Sequence, residues 1–457
     1  VNTRILRIEL RRTIAPWAAL AILVVAFGFL YSFSGPWTRL PLAWDEHWGL
    51  AAQWSRFLLV FLWPIAIGAG AIQGMRDSRS GTAELMTTMP RPGWHRAAKL
   101  AGALGGLLVL GYLLVFAAGA VQTVFNGGFF TFGWLPIVVV GVLAMLAGAW
   151  IGLGIGRLLP HPLTAPAVAV AALVTMLVFQ IGGSEGSVIF GAVPLRVALL
   201  APAMDVVNDP FTTTSGRMDL GQGVWLAGLA ATGFLLLAVR STRAKALAVV
   251  PALVAVAIAL PVLPNSTAEA KAVDPRATAM LCDGPVCVPG AMGYELPRLA
   301  GPGKEALRLL GTLPDAPVKV AVQDRRLDYD EVPPRAADTV SVDLLDWSVR
   351  SLLQPDDVTW ALVAGAGTPT CYTLRGVDKS FMDEVAARAI TSSWFLGEWK
   401  LSERSWLSDA TKNEVVQKQD IFRALPADVQ RERIIAVRQA GLTCQGNQLD
   451  ILLGGAR

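Results

Sequence analysis

Seven apolar runs, each near the length needed to cross a bilayer, dominate the first 264 residues of the chain. They cover about 13–33, 57–75, 100–124, 135–156, 165–183, 222–239 and 246–263. A helix needs roughly 20 mostly apolar residues to span the hydrocarbon core, and only helices or closed barrels satisfy their backbone there. This spacing predicts an α-helical polytopic membrane protein. The first run is too long for a signal peptide and is followed by further spans, so it is read as a retained helix. Before it, "VNTRILRIELRR" interleaves Ile5, Leu6, Ile8 and Leu10 with Arg4, Arg7, Arg11 and Arg12. That pattern predicts an amphipathic helix over 1–12 lying at the membrane surface.

Charge divides the chain into two regions and orients the first. Residues 1–264 hold 17 Lys and Arg against 9 Asp and Glu; the rest hold 22 against 26. With the N-terminus inside, the inner segments carry 13 of those 17 basic residues. The outer segments carry only Arg39, Arg56, Arg196 and Arg217. The positive-inside rule then places the N-terminus in the cytoplasm. Seven spans put residues 264–457 on the extracytoplasmic side of the membrane.

The four cysteines, Cys282, Cys287, Cys371 and Cys444, all fall in that last region. An even number confined to an oxidising compartment predicts two disulfides. Three pairings are possible; Cys282–Cys287, closing "CDGPVC", with Cys371–Cys444 is favoured. A four-thiolate zinc site is the alternative, but only one close pair exists and it is not C-x2-C. The region begins with a polar linker, "NSTAEAKAVDPRATAM". "PVKVAVQ" then alternates like a strand. "TVSVDLLDWSVRSLL", "DEVAARAITSSWFLGEWKL" and "ADVQRERIIAVRQA" have helical spacing. These signals together predict a mixed α+β domain over 264–457.

Enzyme signatures are weak. No G-x-x-x-x-G-K-[ST] occurs, and "GPGKEAL" at Gly301 reads as a turn entering a helix. "GGSEG", Gly182 to Gly186, matches G-x-S-x-G, but a span precedes Ser184 and the only outer histidine is His47, so a flexible span exit is the better reading. No H-E-x-x-H occurs, and none of the three histidines, His47, His95 and His161, lies beyond residue 264. "DYDE", Asp328 to Glu331, reads as a solvated acidic turn and not a calcium loop. No catalytic residue, metal site or nucleic-acid contact is expected. The spans hold only uncharged polar groups such as Gln73, Gln122 and Gln180, plus Pro64 as a bend. Gly152, Gly154 and Gly156 in "GLGIG" either permit close helix contact or face lipid. "SVIFGAVPLRVALLAPAM", broken by Pro194 and Pro202, reads as a re-entrant or surface-lying segment. A carrier driven by ions tends to place titratable groups at mid-membrane, so energy for any transport here is expected from another chain.

The inner loop "RDSRSGTAELMTTMPRPGWHRAAK", Arg76 to Lys99, predicts a short helix. Glu84 lies near its start, where the dipole favours an acid. Leu85, Met86 and Met89 share one side, and Pro90 and Pro92 stop it. Such a face either docks in a groove of a partner or rests on lipid headgroups.

Gly81-Thr82-Ala83-Glu84-Leu85-Met86 through Thr88-Met89-Pro90, with Arg96 and Lys99 entering the next span, resembles the coupling segment of ABC-2 type ABC transporter permeases. The resemblance covers roughly residues 1–243, including the amphipathic start and six spans. It implies a six-span permease domain over 13–243 with a coupling helix near 80–90. It also implies a second permease copy or paralogue, and cytoplasmic ABC ATPase subunits that bind ATP and Mg, with no cofactor in this chain. The ATPase-coupling residues would be Gly81, Thr82, Glu84, Leu85, Met86, Met89, Pro90 and Arg91. Met86 and Met89 stand where the family more often has other residues. A seventh helix over 244–263 and the domain after it depart from the family plan; "LCDGPVCVPGAMGYELPRL" resembles tails of actinobacterial permeases of this type. The expected function is export of an amphiphile: lipid, peptide antibiotic or drug. The alternative is a membrane-anchored extracytoplasmic sensor, immunity or enzyme-like binding protein without transport.

Overall fold

A computed structural model describes residues 13–32, 44–76, 93–182, 193–203, 209–327, 331–345, 355–372, 379–398 and 409–455. The chain forms two compact units, Val1–Asp274 and Pro275–Arg457.

In the first unit the apolar runs are helices: α1 Ala15–Ser32, α2 Trp48–Phe57, α3 Leu59–Gly74, α4 Gly93–Phe125, α5 Trp134–Leu158, α6 Thr164–Gly182, α7 Leu195–Ala198, α8 Gly216–Ala238, α9 Thr242–Leu247 and α10 Val250–Val262. Five are long and apolar enough to cross a membrane, counting α9 and α10 as one. The number rises to six if α2 and α3, bent by 49°, form a single broken span. The apolar part of α6, Thr164–Gln180, is shorter. The unit is therefore a polytopic membrane bundle. The bend falls at Leu58, upstream of Pro64, and α3 runs through the proline.

Close packing in the bundle comes from small residues. Helix α5 is its centre, 67% buried against 17% for the helix ending in α10. Gly70 and Gly74 of α3 face Gly152 and Gly156 of α5, and a Cβ added at any of the four would collide with the backbone of the opposing helix. These two small-x-x-x-small stripes let the helices touch backbone to backbone, the contact that packs helices where lipid is as apolar as the side chains. Gly154, on the other side of α5, meets Gly233 of α8, where a Cβ would lie 2.9 Å from the Gly233 carbonyl. The packing reading of "GLGIG" is the one realised. Helix α1 buries Ala15, Ala18, Ile22, Ala26 and Leu30 as one stripe, against α4.

The segment read as a polar linker is partly folded into the first unit. Helix α11, Thr267–Ala270, leads into β2, Lys271–Val273, which pairs antiparallel with β1, Thr212–Thr214.

The second unit carries a four-stranded sheet: β3 Met280–Asp283, β4 Val286–Pro289, β5 Lys319–Val322 and β6 Thr339–Val342, in that order. The hairpin β3–β4 is antiparallel; β4, β5 and β6 are parallel. Its helices are α12 Pro275–Thr278, α13 Leu296–Leu310, α14 Pro355–Val363, α15 Lys379–Leu396, α16 Asp409–Arg423, α17 Ala427–Thr443 and α18 Gln448–Leu453. Mixed α+β content matches the expectation, and "PVKVAVQ" supplies β5. Two local readings are corrected. "TVSV", expected to start a helix, is β6: its β-branched residues alternate, with Val340 and Val342 buried beside β5. "GPGKEAL" lies inside α13, where Gly303 lets the helix approach Val286.

Candidate functional site

The expected coupling residues Gly81, Thr82, Glu84, Leu85, Met86, Met89, Pro90 and Arg91, and the 1–12 segment, lie outside the described residues. So do Ser184 and Asp328. The flanks of the coupling loop are described. Helix α3 ends at Gly74, with Met75 fully buried against Ala71 and Ala165. Helix α4 begins at Gly93, with Trp94 stacked on His95 at 3.7 Å.

A polar clamp is built where α2 bends into α3. Arg56, counted from sequence among outer-loop residues, is the next-to-last residue of α2 and is fully buried. Its Nε donates to the Pro202 carbonyl at 2.6 Å, Nη2 to Gln222 Oε1 at 2.6 Å, and Nη1 to the Ile137 carbonyl at 3.4 Å. Gln222 Nε2 in turn donates to the carbonyls of Leu199 and Ala201 at 2.9 and 3.1 Å. Trp225 Nε1 donates to the Leu200 carbonyl at 3.0 Å. Four consecutive carbonyls after α7 are thus each taken by a side chain of α2 or α8. A chain that stops being helical within a bundle must find such partners, because the hydrocarbon core has no water to supply them. Residues 199–202 of the segment read as re-entrant or surface-lying are held this way. The sequence signal for the clamp is an arginine immediately before the apolar run 57–75, with a glutamine at the start of the run 222–239.

The neighbouring polar groups serve packing. Ser55 Oγ and the Tyr112 hydroxyl lie 3.3 Å apart. Gln73 Oε1 accepts from the Ile14 amide at 3.4 Å. His47 caps α2, its Nδ1 accepting from the Gly49 amide at 3.0 Å. Arg157 donates to the Leu237 carbonyl. Among the described residues, no group of three or more His, Cys, Asp or Glu could hold a metal ion.

In the second unit the cysteines pair as favoured: Cys282 with Cys287, S–S 2.12 Å, and Cys371 with Cys444, S–S 2.08 Å. The first closes the β3–β4 hairpin, in which the two cysteines are direct cross-strand partners. The second anchors a loop that sequence reasoning missed. Gly365, Ala366 and Gly367 have φ of 62°, 55° and 76°. Ala366 is strained there, since a Cβ disfavours the left-handed region. Three arginines fix Ala366 and the residues after it. Arg438 Nη1 donates to the Ala366 carbonyl at 2.7 Å and Arg388 Nη1 to the Thr368 carbonyl at 2.6 Å; Arg335 donates to the Thr370 carbonyl. Every second carbonyl from 366 to 370 is pinned. The Cys371 amide then donates to both Glu384 carboxylate oxygens, at 2.9 and 3.2 Å. Burial pushes the Glu384 carboxyl above its ordinary pKa, opposed by Arg388, the Cys371 amide and Arg335. The same burial lowers Arg388, against the pull of Glu384. Only the "AGAG" run, whose glycines permit positive φ, signals this loop in the sequence.

Compared with family models, with curated proteins and with solved structures, the chain finds no match.

Proposed function

We propose that the chain is the membrane-spanning permease subunit of an ABC exporter. In this reading ATP is hydrolysed by separate cytoplasmic subunits, and the Gly81–Pro90 segment receives their movement. The observation that carries it is that segment's amphipathic pattern, Glu84 near the start and Leu85 and Met89 on one side, between α3 and α4. The bundle supports it. Arg56 is committed to backbone carbonyls and Gln222, so it acts as a fastener and not as a titrating relay. Gly-lined contacts between α3, α5 and α8 give rigid helix units that can rock together. The N-terminus is cytoplasmic and the second unit extracytoplasmic in this proposal, in keeping with disulfides in an oxidising space. Two permease copies or paralogues form the pathway, and the cargo is an amphiphile such as a lipid, peptide antibiotic or drug. A second reading, an extracytoplasmic binding protein on a membrane mount, is favoured by the fixed loop that ends at Cys371.

Purification of the tagged chain from its native membrane tests the proposal. A stoichiometric ATPase should accompany it, and Leu85→Asp with Met89→Asp should release that subunit and abolish stimulated hydrolysis. A chain that purifies alone, or a double variant that keeps full stimulation, would sink it.

A further inference from the structure

The second unit holds a small cavity of about 140 Å³ beside the Cys371–Cys444 disulfide, lined by Tyr372, Ser380, Glu384 and Gln448. That is room for several waters or one small head group. We propose that it binds a small primary ammonium group. The inference goes beyond transport and does not rest on the permease reading.

Three observations carry it. First, the cavity wall holds unclaimed acceptor capacity. Gln448 is 5% exposed, and its Oε1 is buried with no hydrogen-bond partner. A buried, unsatisfied oxygen is costly and calls for an explanation. Glu384 is 4% exposed; its carboxylate takes one amide hydrogen, shared between two oxygens, and keeps acceptor capacity. Second, the two described guanidiniums that act on Glu384 already donate to backbone carbonyls. Arg388 donates to the Thr368 carbonyl, and Arg335 to the carbonyls of Gly441, Pro333 and Thr370. Third, Tyr372 adds an aromatic wall, edge-on to Phe381 at 6.2 Å between ring centroids, and an aromatic face attracts a cation. A carboxylate, an amide oxygen, a hydroxyl and an aromatic ring suit an ammonium, which brings three donors and no acceptor. The segment that starts with the left-handed run at 365–367, its carbonyls at 366, 368 and 370 each taken by an arginine, holds Cys371 and Tyr372 in place before any ligand arrives. Strain of this kind gathers at ligand sites.

Hydrogen–deuterium exchange on the detergent-solubilised full chain tests this, read on peptides covering 379–390 and 444–453. The probes are ethanolamine for a free amine and glycylglycinamide for a peptide N-terminus; ethylene glycol and acetate are controls. Protection by at least one amine, and by neither control, is expected. Which amine protects more strongly identifies the source of the ammonium group. Gln448→Met keeps the side-chain volume and should weaken amine binding about tenfold, the loss of one hydrogen bond to a charged group. Glu384→Gln should weaken it at least as much. Equal protection by glycol or acetate, no protection by either amine, or unchanged amine affinity in a folded Gln448→Met variant would overturn the proposal.

Discussion

The two units bury polar backbone by the same device but hold their shape by different means. In the first, Arg56 and Gln222 collect carbonyls from a non-helical segment, and helices close on one another through glycine. In the second, Arg335, Arg388 and Arg438 collect carbonyls from a left-handed loop, and two disulfides close the chain. The guanidinium suits both places: it presents five donors in a fixed fork and accepts nothing. The bundle cannot draw on water to finish its hydrogen bonds, so its clamp takes every carbonyl from 199 to 202. The second unit pins alternate carbonyls and relies on Cys371–Cys444 to fix the end of the loop.

The disulfide half of that contrast has the largest expected consequence. Cys371 and Cys444 are 73 residues apart, against 5 for Cys282 and Cys287. Loop-closure entropy gives the long bridge about 4.5 kcal/mol and the short one about 2 kcal/mol. Replacing Cys371 and Cys444 by Ser should therefore lower the unfolding temperature of the second unit most, and should expose the loop residues to protease. Equal losses from the two double replacements would show that the bridges act through local geometry and not through the unfolded chain.

Next come the arginines. Arg56→Leu orphans the Pro202 carbonyl and Gln222 Oε1. Arg438→Leu orphans the carbonyls of Ala366 and Ala337, the latter bonded at 2.6 Å. Each should cost about 3 kcal/mol, from buried acceptors left unsatisfied. The effect of each should stay within its own unit. Hydrogen–deuterium exchange on peptides from each unit, followed through thermal unfolding, would separate them. Arg438→Lys should recover little, since a point charge cannot reach carbonyls in two directions. Full recovery by Lys would reduce the clamp to charge alone.

The smaller bridge sharpens the same comparison. Cys282→Ser with Cys287→Ser should cost about 2 kcal/mol. The hairpin should survive, because Val286 and Val288 of β4 stay buried. Loss of the whole sheet on that replacement would mean that the hairpin, and not the core under it, nucleates the unit.

Legibility differs between the units for a physical reason. Hydropathy over twenty residues is a long-range signal, so each apolar run reads as helix with small errors at its ends. The two ends of α2–α3 show the limit. "WGLAAQWSR" has too many polar residues to join a hydropathy run, yet it is helical and buried, and Arg56 reads as a loop residue. "TVSV" fails for the opposite cause: four residues cannot distinguish a strand period from a helix face, and pairing with β5 decides it. Gly70 and Gly74 carry no separate signal until Gly152 and Gly156 are seen opposite them. The cysteines are readable because compartment and number constrain them strongly. The arginine pins are not, since each draws its carbonyls from far along the chain.

The smallest expected effect is one of pH, and it separates a buried carboxyl from an exposed one in the second unit. Glu384 is buried and its pKa lies above the ordinary 4.5. Asp338 is exposed, and hydrogen bonds from Thr339 and Lys319 hold it below the ordinary 3.8. Between 4.5 and the raised value the folded state keeps a proton on Glu384 that the unfolded chain has released. Stability must fall as pH rises through that window and level off above it. Asp338 acts below 3.8: the stability it adds is present above that value and is lost as pH falls through its lowered one. The unit should therefore be most stable near the gap between the two ordinary values. Glu384→Gln should remove the decline on the alkaline side and leave the acid side intact. Unfolding midpoints in denaturant across this pH range would check it. A decline that persists in Glu384→Gln would assign the window to another buried group.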